Sequence, residues 1–485
     1  MKQWKFYGRG TELAQLNQIL TRNRFAFVKV AGRRRIGKTT LIRQVIQSNR
    51  EKQAFYVQIP NASPAGVLSE IHGFMETMQL NRKKPESFNE FGQLIRQLLL
   101  DGFIVILDEF QYFHKPQLQS FGSTLQSVVD ECLSAPESYK GCLIVLGSIQ
   151  SEMNALLEDR KAPLYQRTTD NIDLTHLDIS SVKLLLSEHG SGKPEELLFY
   201  WTLFEGVPKF YRDCFEQSAF GVSREKVLQR MFFESSSPLR NEAENWFLQE
   251  LHGQYTLALR FIAANPGCSN GDIVQAMTSP ENGEKQKVGA YLNTLVQRYQ
   301  MVEKRLPIFS KENARSGRYY ISDNFLSSWL YALKQPVASV QFRAIQDLLA
   351  ISNQKLNECE GHALEKLVSR VYEERSKKGL PGFKLTKRIE GFWNRSDLEI
   401  DLIALNQDEE VIRFCTCKRS ASQLTPSHLA KFKIYTDKFL QLKTQFSNWT
   451  LEFSAITTSH TPSSENTCIR HGFLAEDLNG LTADL

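Results

Sequence analysis

A glycine-rich stretch near the N-terminus has the residue types and spacing of a phosphate-binding loop. In FAFVKVAGRRRIGKTTLIRQVI (25–46), an apolar strand runs into Gly32, and after four more residues Gly37 is followed by Lys38 and Thr39. Glycine at these two places lets the backbone curl so that successive N–H groups point at phosphate oxygens. The helix that follows adds its positive N-terminal end. The pattern G-x-x-x-x-G-K-S/T between a strand and a helix therefore predicts a nucleotide site.

Each part of this loop has an expected role in binding a nucleoside triphosphate. Lys38 should reach the β- and γ-phosphates, and the hydroxyl of Thr39 should bind Mg²⁺. ATP and Mg²⁺ are therefore the expected cofactors. The residues predicted to surround the phosphates are Gly32, Arg33, Arg34, Arg35, Ile36, Gly37, Lys38, Thr39 and Thr40.

Two more buried strands should end beside this loop in polar side chains. The stretch GFIVILDEFQYF (102–113) places Asp108 and Glu109 directly after an apolar run, and CLIVLGS (142–148) ends in Ser148. Ligands of open parallel sheets bind at the carboxyl ends of the strands. We expect Asp108 to complete the Mg²⁺ site and Glu109 to orient and polarise the attacking water. Ser148 is placed to contact the γ-phosphate or the water as a sensor, and the alternative is an ordinary strand-ending turn.

Several segments of this N-terminal half resemble the archaeal-type ATPases, a branch of the STAND group of AAA-related P-loop ATPases. The resemblance spans most of the chain and rests on FYGRGTEL (6–13), GRRRIGKTTL, DEFQYF, LGS and LYQR (164–167). It implies a finger or sensor role for Arg167, although the family usually has a glycine where this chain has Gln166. Such an arginine contributes about 10³–10⁵-fold to the rate of hydrolysis. The alternative is a surface arginine beside a helix.

A second resemblance to the STAND ATPases lies in EGVPKFYR (205–212). It looks like their G-x-P element, which lies beside the adenine, and it implies that Gly206 and Pro208 form a tight turn against the base. A plain turn between helices is the alternative. The surrounding region (174–244) is amphipathic, as in SSVKLLLSEH, which suits a helical lid over the nucleotide.

The next region has the element order of a winged helix-turn-helix. YTLALRFIAANPGCSNGDIVQAM (255–277) indicates helix, turn and helix, a third helix is expected at about 285–299, and two short strands surround a polar hairpin. Residues 285–318 contain eight basic side chains and two glutamates, which is the footprint expected for a DNA-binding surface. In STAND proteins such a domain often packs on the ATPase and gates it, so DNA contact and packing alone both stay open. The basic residues are Lys285, Lys287, Arg298, Lys304, Arg305, Lys311, Arg315 and Arg318.

The C-terminal part combines acidic residues and a lysine in a pattern typical of metal-dependent nucleases. HALEKLVSRVYEE (362–374) is an amphipathic helix carrying Glu365, and a three-strand meander follows it. Asp401 lies on the strand DLEIDLIAL and Lys418 on the strand RFCTCKRS. Helix, three strands, helix and strand is the order of the restriction-endonuclease-like, PD-(D/E)xK core.

These strands also resemble the C-terminal domain found on this ATPase family, where two strands carry EID and ECK. In such sites a helix acid and two strand acids bind Mg²⁺, and the lysine stabilises the attacking water or the developing charge. Glu365, Asp401 and Lys418 match the pattern, whereas Thr416 stands where it has a glutamate. Glu399, on the same strand face as Asp401, is a candidate replacement. We favour a cleavage-deficient remnant that binds DNA or a partner; an active nuclease with altered ligands and an unrelated sheet domain are the alternatives.

The composition indicates an intracellular globular protein. The 485 residues are 41% hydrophobic and 23% charged, with a formal net charge of +5, and the apolar runs are too short for a membrane span. The N-terminus lacks the apolar region of a signal peptide, which predicts a cytoplasmic location. The eight cysteines are scattered without a zinc-binding spacing, which predicts reduced thiols.

Together these predictions give an α/β architecture of five parts. They are a P-loop ATPase core (1–173), a helical lid (174–244), a winged helix (245–332), a helical linker (333–357) and a restriction-endonuclease-like domain (358–485). We expect an ATPase that works as a nucleotide-driven switch, with DNA or a protein as its partner. An ATP-regulated, metal-dependent DNA nuclease, acting in defence against foreign DNA, is one alternative. A slowly hydrolysing, nucleotide-bound scaffold is the other.

Overall fold

The computed structural model describes residues 3–245, 251, 253–278, 285–311, 314, 316–394 and 398–485. The chain divides into two units. The N-terminal unit consists of Gly8–Leu177 and Val207–Lys209, and the C-terminal unit consists of Met1–Tyr7, Asp178–Gly206 and Phe210–Leu485.

A five-stranded parallel sheet forms the centre of the N-terminal unit. Its strands are β1 (Ala26–Ala31), β2 (Ala54–Gln58), β3 (Ile104–Asp108), β4 (Cys142–Gly147) and β5 (Asp170–Asp173). They lie in the order β2-β3-β4-β1-β5, and all neighbours are parallel. β1, β3 and β4 are buried along their whole length, as expected where helices cover both faces of a sheet. This confirms the α/β class and the three apolar strands predicted around the phosphate-binding loop.

Six helices accompany this sheet. Two of them begin at serine caps, because Ser63 and Ser87 accept hydrogen bonds from the backbone N–H groups of Gly66 and Glu90. The helices are α1 (Gly10–Thr21), α2 (Lys38–Ser48), α3 (Pro64–Thr77), α4 (Phe88–Leu100), α5 (Ser120–Ser134) and α6 (Gln150–Leu157).

A cluster of aromatic rings fixes the chain where it leaves β3. Phe110 and Phe113, in the 3₁₀ turn Phe110–His114, are fully buried. Phe113 stacks on Phe121 of α5, which in turn stacks on Phe91 of α4, with ring-centroid distances of 4.3 and 5.2 Å. Because packed aromatic rings resist displacement, this cluster holds the carboxylates at the end of β3 in place.

The region after β5 is helical, as predicted from its amphipathic pattern. Its helices are α7 (Ile179–His189), α8 (Pro194–Phe204), α9 (Pro208–Glu216) and α10 (Arg224–Leu228), and a π-helical turn at Gln229–Phe233 continues α10.

Three helices and a small antiparallel sheet follow in the C-terminal unit. The elements are α11 (Gln254–Ala264), β6 (Cys268–Ser269), α12 (Asn270–Met277), α13 (Lys285–Asn293), β7 (Val302–Arg305) and β8 (Arg318–Ile321). The strand order is β6-β8-β7, and a π-helical turn at Thr294–Arg298 continues α13. Ser269 and Asp272 form the capping box that their spacing predicted.

The remaining elements build a second five-stranded sheet with helices around it. They are α14 (Asn324–Ser328), α15 (Lys334–Ala338), α16 (Ile345–Lys377), β9 (Glu390–Trp393), β10 (Glu399–Asn406), β11 (Val411–Lys418), α17 (Pro426–Leu442), β12 (Thr450–Thr457), α18 (Pro462–Arg470), β13 (Leu474–Asp477) and α19 (Leu478–Thr482). The strand order is β13-β12-β11-β10-β9. β9, β10 and β11 are antiparallel neighbours, whereas β11, β12 and β13 run parallel.

One predicted boundary needs correction. The division between a linker ending at residue 357 and a domain beginning at 358 falls inside α16, a single helix of 33 residues. Buried residues recur on its inner side at Leu349, Leu356 and Ala363, a seven-residue repeat that keeps one face apolar. The apolar face is continuous, so the helix does not break.

None of the described helices is long and apolar enough to cross a membrane. All eight cysteines are free thiols.

Candidate functional site

The loop between β1 and α2 has the curled backbone that its glycines permit. Gly32 has a φ of 152° and Gly37 a φ of 94°. A Cβ on Gly32 would lie only 2.6 Å from the carbonyl oxygen of Leu174, so a larger residue does not fit there. Ile36 is fully buried beneath the loop, and Thr40 is exposed in the first turn of α2.

Lys38 lies under the curled loop. Its Nζ donates hydrogen bonds to the carbonyl oxygens of Gly32 and Arg33, at 2.7 and 3.1 Å. Burial lowers the pKa of this amine to about 8, although Glu109 and Asp108 oppose the shift. A buried cation of this kind gains from a phosphate beside it, so the environment fits the expected role of Lys38.

The two predicted Mg²⁺ ligands lie in direct contact. Thr39 Oγ1 donates a hydrogen bond of 2.8 Å to Asp108 Oδ2, and the hydroxyl of Tyr56 donates to the same oxygen at 2.8 Å. The backbone N–H of Glu109 donates to Asp108 Oδ1 at 2.8 Å. A hydroxyl and a carboxylate are oxygen donors of the kind that Mg²⁺ prefers, so these residues fit the ion. Sequence analysis missed Tyr56, whose pKa rises through burial and the nearby Asp108.

Glu109 and Ser148 form a hydrogen-bonded group with a buried glutamine. Ser148 Oγ donates to Glu109 Oε2 at 3.1 Å. Gln111 Nε2 donates to Glu109 Oε2 and, at 3.2 Å, to Ser148 Oγ, while Gln111 Oε1 accepts from the Ser148 N–H. Gln111 is fully buried and so fixes the position of both partners. Arg34 Nε donates to Ser148 Oγ at 3.4 Å, so the loop touches this group directly.

Arg9, whose role sequence analysis missed, supports the loop from outside. Arg9, which is nine-tenths buried, donates to the carbonyl oxygen of Ile36 at 3.2 Å and to that of Thr175. Arg33 lies 3.2 Å from His176 through Nη1 and Nε2. Arg9 was visible in the sequence within FYGRGTEL, but nothing there indicated its contact with the loop.

Arg167 is held in a two-pronged ion pair with α5. Its Nε and Nη2 donate to the two carboxylate oxygens of Asp130, at 2.6 and 3.1 Å. Gln166, at the place where the resembling family usually has a glycine, has a φ of 56°. The left-handed conformation that glycine favours is therefore retained without the glycine. The role of Arg167 in catalysis stays a prediction.

Pro208 lies against the phosphate-binding loop. Its Cγ is 3.8 Å from the position that a Cβ on Gly37 would take, and it begins α9. Pro208 belongs to the N-terminal unit, whereas Gly206 belongs to the C-terminal unit. The role of both residues beside the adenine stays a prediction.

In the C-terminal unit, Asp401 is the centre of a second polar group. One of its oxygens, Oδ2, accepts hydrogen bonds from Thr416 Oγ1 at 3.0 Å, from the Cys417 N–H at 2.8 Å and from Lys418 Nζ at 3.2 Å. The antiparallel register of β10 and β11 brings these residues together. His428 of α17, missed by sequence analysis, lies 3.0 Å from Thr416 Oγ1 through Nε2. Burial and the positive charge of Lys418 lower the pKa of His428.

The other two predicted acids of this group have different surroundings. Burial, with the charge of Asp401 next, raises the pKa of Glu365. Glu399 forms an ion pair with Arg318, 2.5 Å from Nη1 to Oε1. Within the described part of the chain, no three His, Cys, Asp or Glu ligand atoms of this group lie within 4.8 Å of one another. With Thr416 in place of a glutamate, the group is poorer in carboxylate ligands than the nuclease pattern it resembles.

The hairpin between β7 and β8 packs against the second sheet. Ile308 is buried in the core of that sheet, and its N–H donates to the Gly391 carbonyl oxygen at 2.9 Å. Phe309 packs on Phe446 with ring centroids 5.1 Å apart. The Arg318 guanidinium lies 4.8 Å from the centroid of the Trp393 ring.

This packing limits the number of basic side chains between 285 and 318 that are exposed to solvent. Arg305 pairs with Glu303 at 2.9 Å, and Arg318 pairs with Glu399. Arg315 and the side chain of Lys285 lie outside the described residues. Among the described residues of this segment, the exposed basic side chains are those of Lys287, Arg298, Lys304 and Lys311.

Comparison with known proteins agrees with the geometry of the N-terminal unit. Residues 6–210 match a family model described as an ATPase domain predominantly from Archaea. Residues 329–428 match a second model, described as archaeal and bacterial proteins of unknown function. The chain is also 27% identical over 418 residues to an uncharacterized protein of Methanocaldococcus jannaschii, covering 85% of this chain and 87% of that protein.

Two solved structures are similar to parts of the chain. A Walker-type ATPase of Pyrococcus abyssi is 17% identical, with a TM-score of 0.48, over 67% of this chain and 96% of that one. The ORC2 protein of Aeropyrum pernix is 14% identical, also with a TM-score of 0.48, over 73% of this chain and 97% of that one. The family match and the loop geometry together establish an ATPase domain with a P-loop in this chain.

Proposed function

We propose that this ATPase is a nucleotide-driven switch whose C-terminal unit binds DNA or a protein partner without cutting it. The observation that carries the proposal is the convergence of Lys38, Thr39, Asp108, Glu109 and Ser148 at the carboxyl edge of one parallel sheet. In the second group, around Asp401, Thr416 supplies a hydroxyl where the nuclease pattern has a carboxylate, which supports binding without cleavage.

Each of the predicted residues of the N-terminal unit would have its own role in ATP hydrolysis. Lys38 would hold the phosphates, and Thr39 and Asp108 would hold Mg²⁺, which neutralises phosphate charge when it is bound. Glu109 would accept a hydrogen bond from the attacking water and orient it. Hydrogen bonds from Gln111 fix the orientation of the Glu109 carboxylate and hold it in contact with Ser148.

A test of this assignment compares ATP hydrolysis by the full chain and by Glu109→Gln. We expect the variant to bind ATP and to lose about 10²-fold or more in turnover, since general-base catalysis contributes about 10²–10⁴-fold. Glu137→Gln, at an exposed glutamate in the turn that follows α5, is the matched control. Equal turnover in Glu109→Gln and Glu137→Gln would remove Glu109 from the mechanism.

We propose that α11 to β8 form a winged helix whose wing is the β7–β8 hairpin. A wing that inserts Ile308 into a protein core is not available to a DNA groove. Any DNA contact would therefore come from the exposed Lys287 and Arg298 on and after α13. Since the wing is fixed to the second sheet, a movement of the winged helix would be passed on to that sheet.

We propose that the second sheet is a nuclease-like domain that has lost cleavage. Its order of helix, three strands, helix and strand supports the likeness, and the Asp401–Lys418 pair supports descent from a metal site. The proposed loss rests on Thr416, which replaces a carboxylate ligand, and on the pairing of Glu399 with Arg318.

The alternative, an ATP-regulated nuclease, draws support from His428, which places a nitrogen ligand beside Thr416. Plasmid and linear DNA should be incubated with the full chain in Mg²⁺ and Mn²⁺, with and without ATP. We expect no cleavage by the natural chain. Cleavage that Asp401→Ala abolishes would establish the nuclease instead.

A further inference from the structure

A polar cavity of about 520 Å³ lies at the carboxyl ends of β11 and β12. It is separate from the phosphate-binding loop and from the Asp401 group. Eight serine and threonine residues line it, among them Ser420, Thr458 and Ser463. Its position, where two parallel strands end, is a common place for ligands of α/β sheets.

Two arginines share one buried carboxylate in the wall of this cavity. Only 2% of the Glu360 side chain is exposed. Arg419 Nε donates to Glu360 Oε2, and Arg419 Nη2 donates to Asn357 Oδ1 at 2.9 Å. Arg224 Nη2 lies 2.7 Å from Glu360 Oε1. Glu195 also lines the cavity, so two carboxylates balance the two guanidiniums, and Glu195 is the exposed one of the two acids.

The guanidinium of Arg224 is held in place but is not enclosed. Its Nη2 is ion-paired with Glu360 Oε1, its Cζ lies 4.4 Å from the centroid of the Phe199 ring, and 28% of its side chain is exposed where it lines the cavity. An ordered arginine with part of its donor fork exposed is a suitable partner for an oxyanion.

We propose that this cavity binds the phosphate group of a compact phosphorylated ligand. An oxyanion would accept from Arg224 and from the surrounding hydroxyls, and arginine suits phosphate because its donors form a fork. Ser463 and Ser464, at the N-terminus of α18, line the cavity, and this helix end adds a partial positive charge that favours an anion. The opposing charge at the rim, Glu195, is exposed and accepts a hydrogen bond from Ser459 at 2.6 Å.

The volume restricts the size of the ligand. Pockets for small molecules measure about 300–1,000 Å³, which suits a group the size of a mononucleotide and excludes a duplex. The phosphate could belong to a free small molecule or to the phosphorylated end of a nucleic-acid strand. This inference does not depend on the proposed function, because the cavity shares no residue with either group described above.

Calorimetric titration of the full chain tests the inference. Lys38→Ala is used as the background, to weaken binding at the phosphate loop. The probes are inorganic phosphate, adenosine monophosphate, a 5′-phosphorylated dinucleotide and the same dinucleotide without its phosphate. We expect saturable binding of phosphorylated probes and none of the unphosphorylated one. Tighter binding of the dinucleotide than of the monophosphate would point to a strand end, and the reverse would point to a free small molecule.

Two variants locate the binding. Ser463→Trp fills the cavity without a change of charge, and Asn466→Trp, an exposed residue of the same helix, is its matched control. Arg224→Gln removes one guanidinium from the cavity wall and leaves Glu360 paired with Arg419. We expect Ser463→Trp and Arg224→Gln each to weaken binding at least tenfold, with Asn466→Trp unchanged and all melting temperatures similar. No binding by the background protein, or equal affinity in Ser463→Trp and Asn466→Trp, would overturn the proposal.

Discussion

Arg318 on β8 and Glu399 at the start of β10 form an ion pair that joins the β7–β8 hairpin to the strand carrying Asp401. The pair engages one oxygen of Glu399 and one nitrogen of Arg318, and more than half of the Glu399 side chain is still exposed. Sequence analysis had placed these two residues in different functions, a metal site and a DNA-binding surface.

The anchor of the hairpin should depend more on Ile308 than on this ion pair. Ile308→Ala deletes a buried side chain and should lower the free energy of unfolding of the C-terminal unit by about 2–4 kcal/mol. Arg318→Ala should cost about 1 kcal/mol, because over half of the Glu399 side chain is exposed. Hydrogen exchange of the hairpin amides measures both effects. Similar loss of protection in Ile308→Ala and in the exposed Lys311→Ala would contradict the anchor.

Gln111 should be needed for turnover and not for nucleotide binding. Gln111→Leu removes the amide that fixes Glu109, and we expect kcat to fall about tenfold or more while KM changes little. Gln117→Leu, on the exposed side of the same loop, serves as the control. Steady-state kinetics separate the two parameters, and a rise in KM alone would assign Gln111 to binding.

The left-handed conformation of Gln166 gives a test by substitution. Gln166→Gly should be tolerated, whereas Gln166→Val should lower stability by about 1–2 kcal/mol, because β-branched residues fit poorly at positive φ. Thermal melting of the two variants checks this. Equal melting temperatures would mean that the turn relaxes.

Arg167 tests whether two copies of the chain act together. If this arginine works in trans, Arg167→Ala protein mixed with Lys38→Ala protein should regain ATPase activity, because each supplies what the other lacks. Absence of rescue at several mixing ratios would remove the trans role. Asp130→Ala, which frees Arg167 from its ion pair, would then report whether that pair holds the arginine away from catalysis.

Glu365, which is half-buried, should make stability depend on pH. Its surroundings and the charge of Asp401 raise its pKa in the folded chain above the 4.5 of an exposed glutamate. The unfolded chain therefore loses this proton first, and the stability of the C-terminal unit should fall as pH rises above about 4.5. Glu365→Gln should raise the melting temperature at pH 8 and leave it unchanged at pH 4.5. An equal shift at both values would mean that packing, and not charge, is responsible.

The sequence predicted the parts of the ATPase site that local patterns reveal. Lys38 and Thr39 lie where the strand–loop–helix pattern required them, and Asp108 lies at the end of the second apolar strand. Tyr56 and Gln111 were missed, because each acts through a contact between strands that no local pattern records. His428 was missed for the same reason, since it reaches Thr416 from a separate helix.

The C-terminal half shows a different limit. The count of basic residues between 285 and 318 could not include Glu399, which lies 81 residues from Arg318 along the chain and pairs with it. Arg305 pairs with Glu303 on the same strand, and the count already contained that glutamate. Similarly, the boundary at 357 and 358 followed a change of motif and ignored the apolar repeat that continues through it. The family match over residues 329–428 also spans that boundary.

The unbroken α16 restricts how the length of this protein can change during evolution. Each inserted or deleted residue turns the rest of an α-helix by about 100°. A single insertion near residue 357 would rotate Glu360 and Glu365 away from the partners they now face, while leaving Leu349 in place. The segment after residue 357 could be exchanged between relatives only where the junction keeps the rotational phase of α16, for example where the helix gains or loses seven residues.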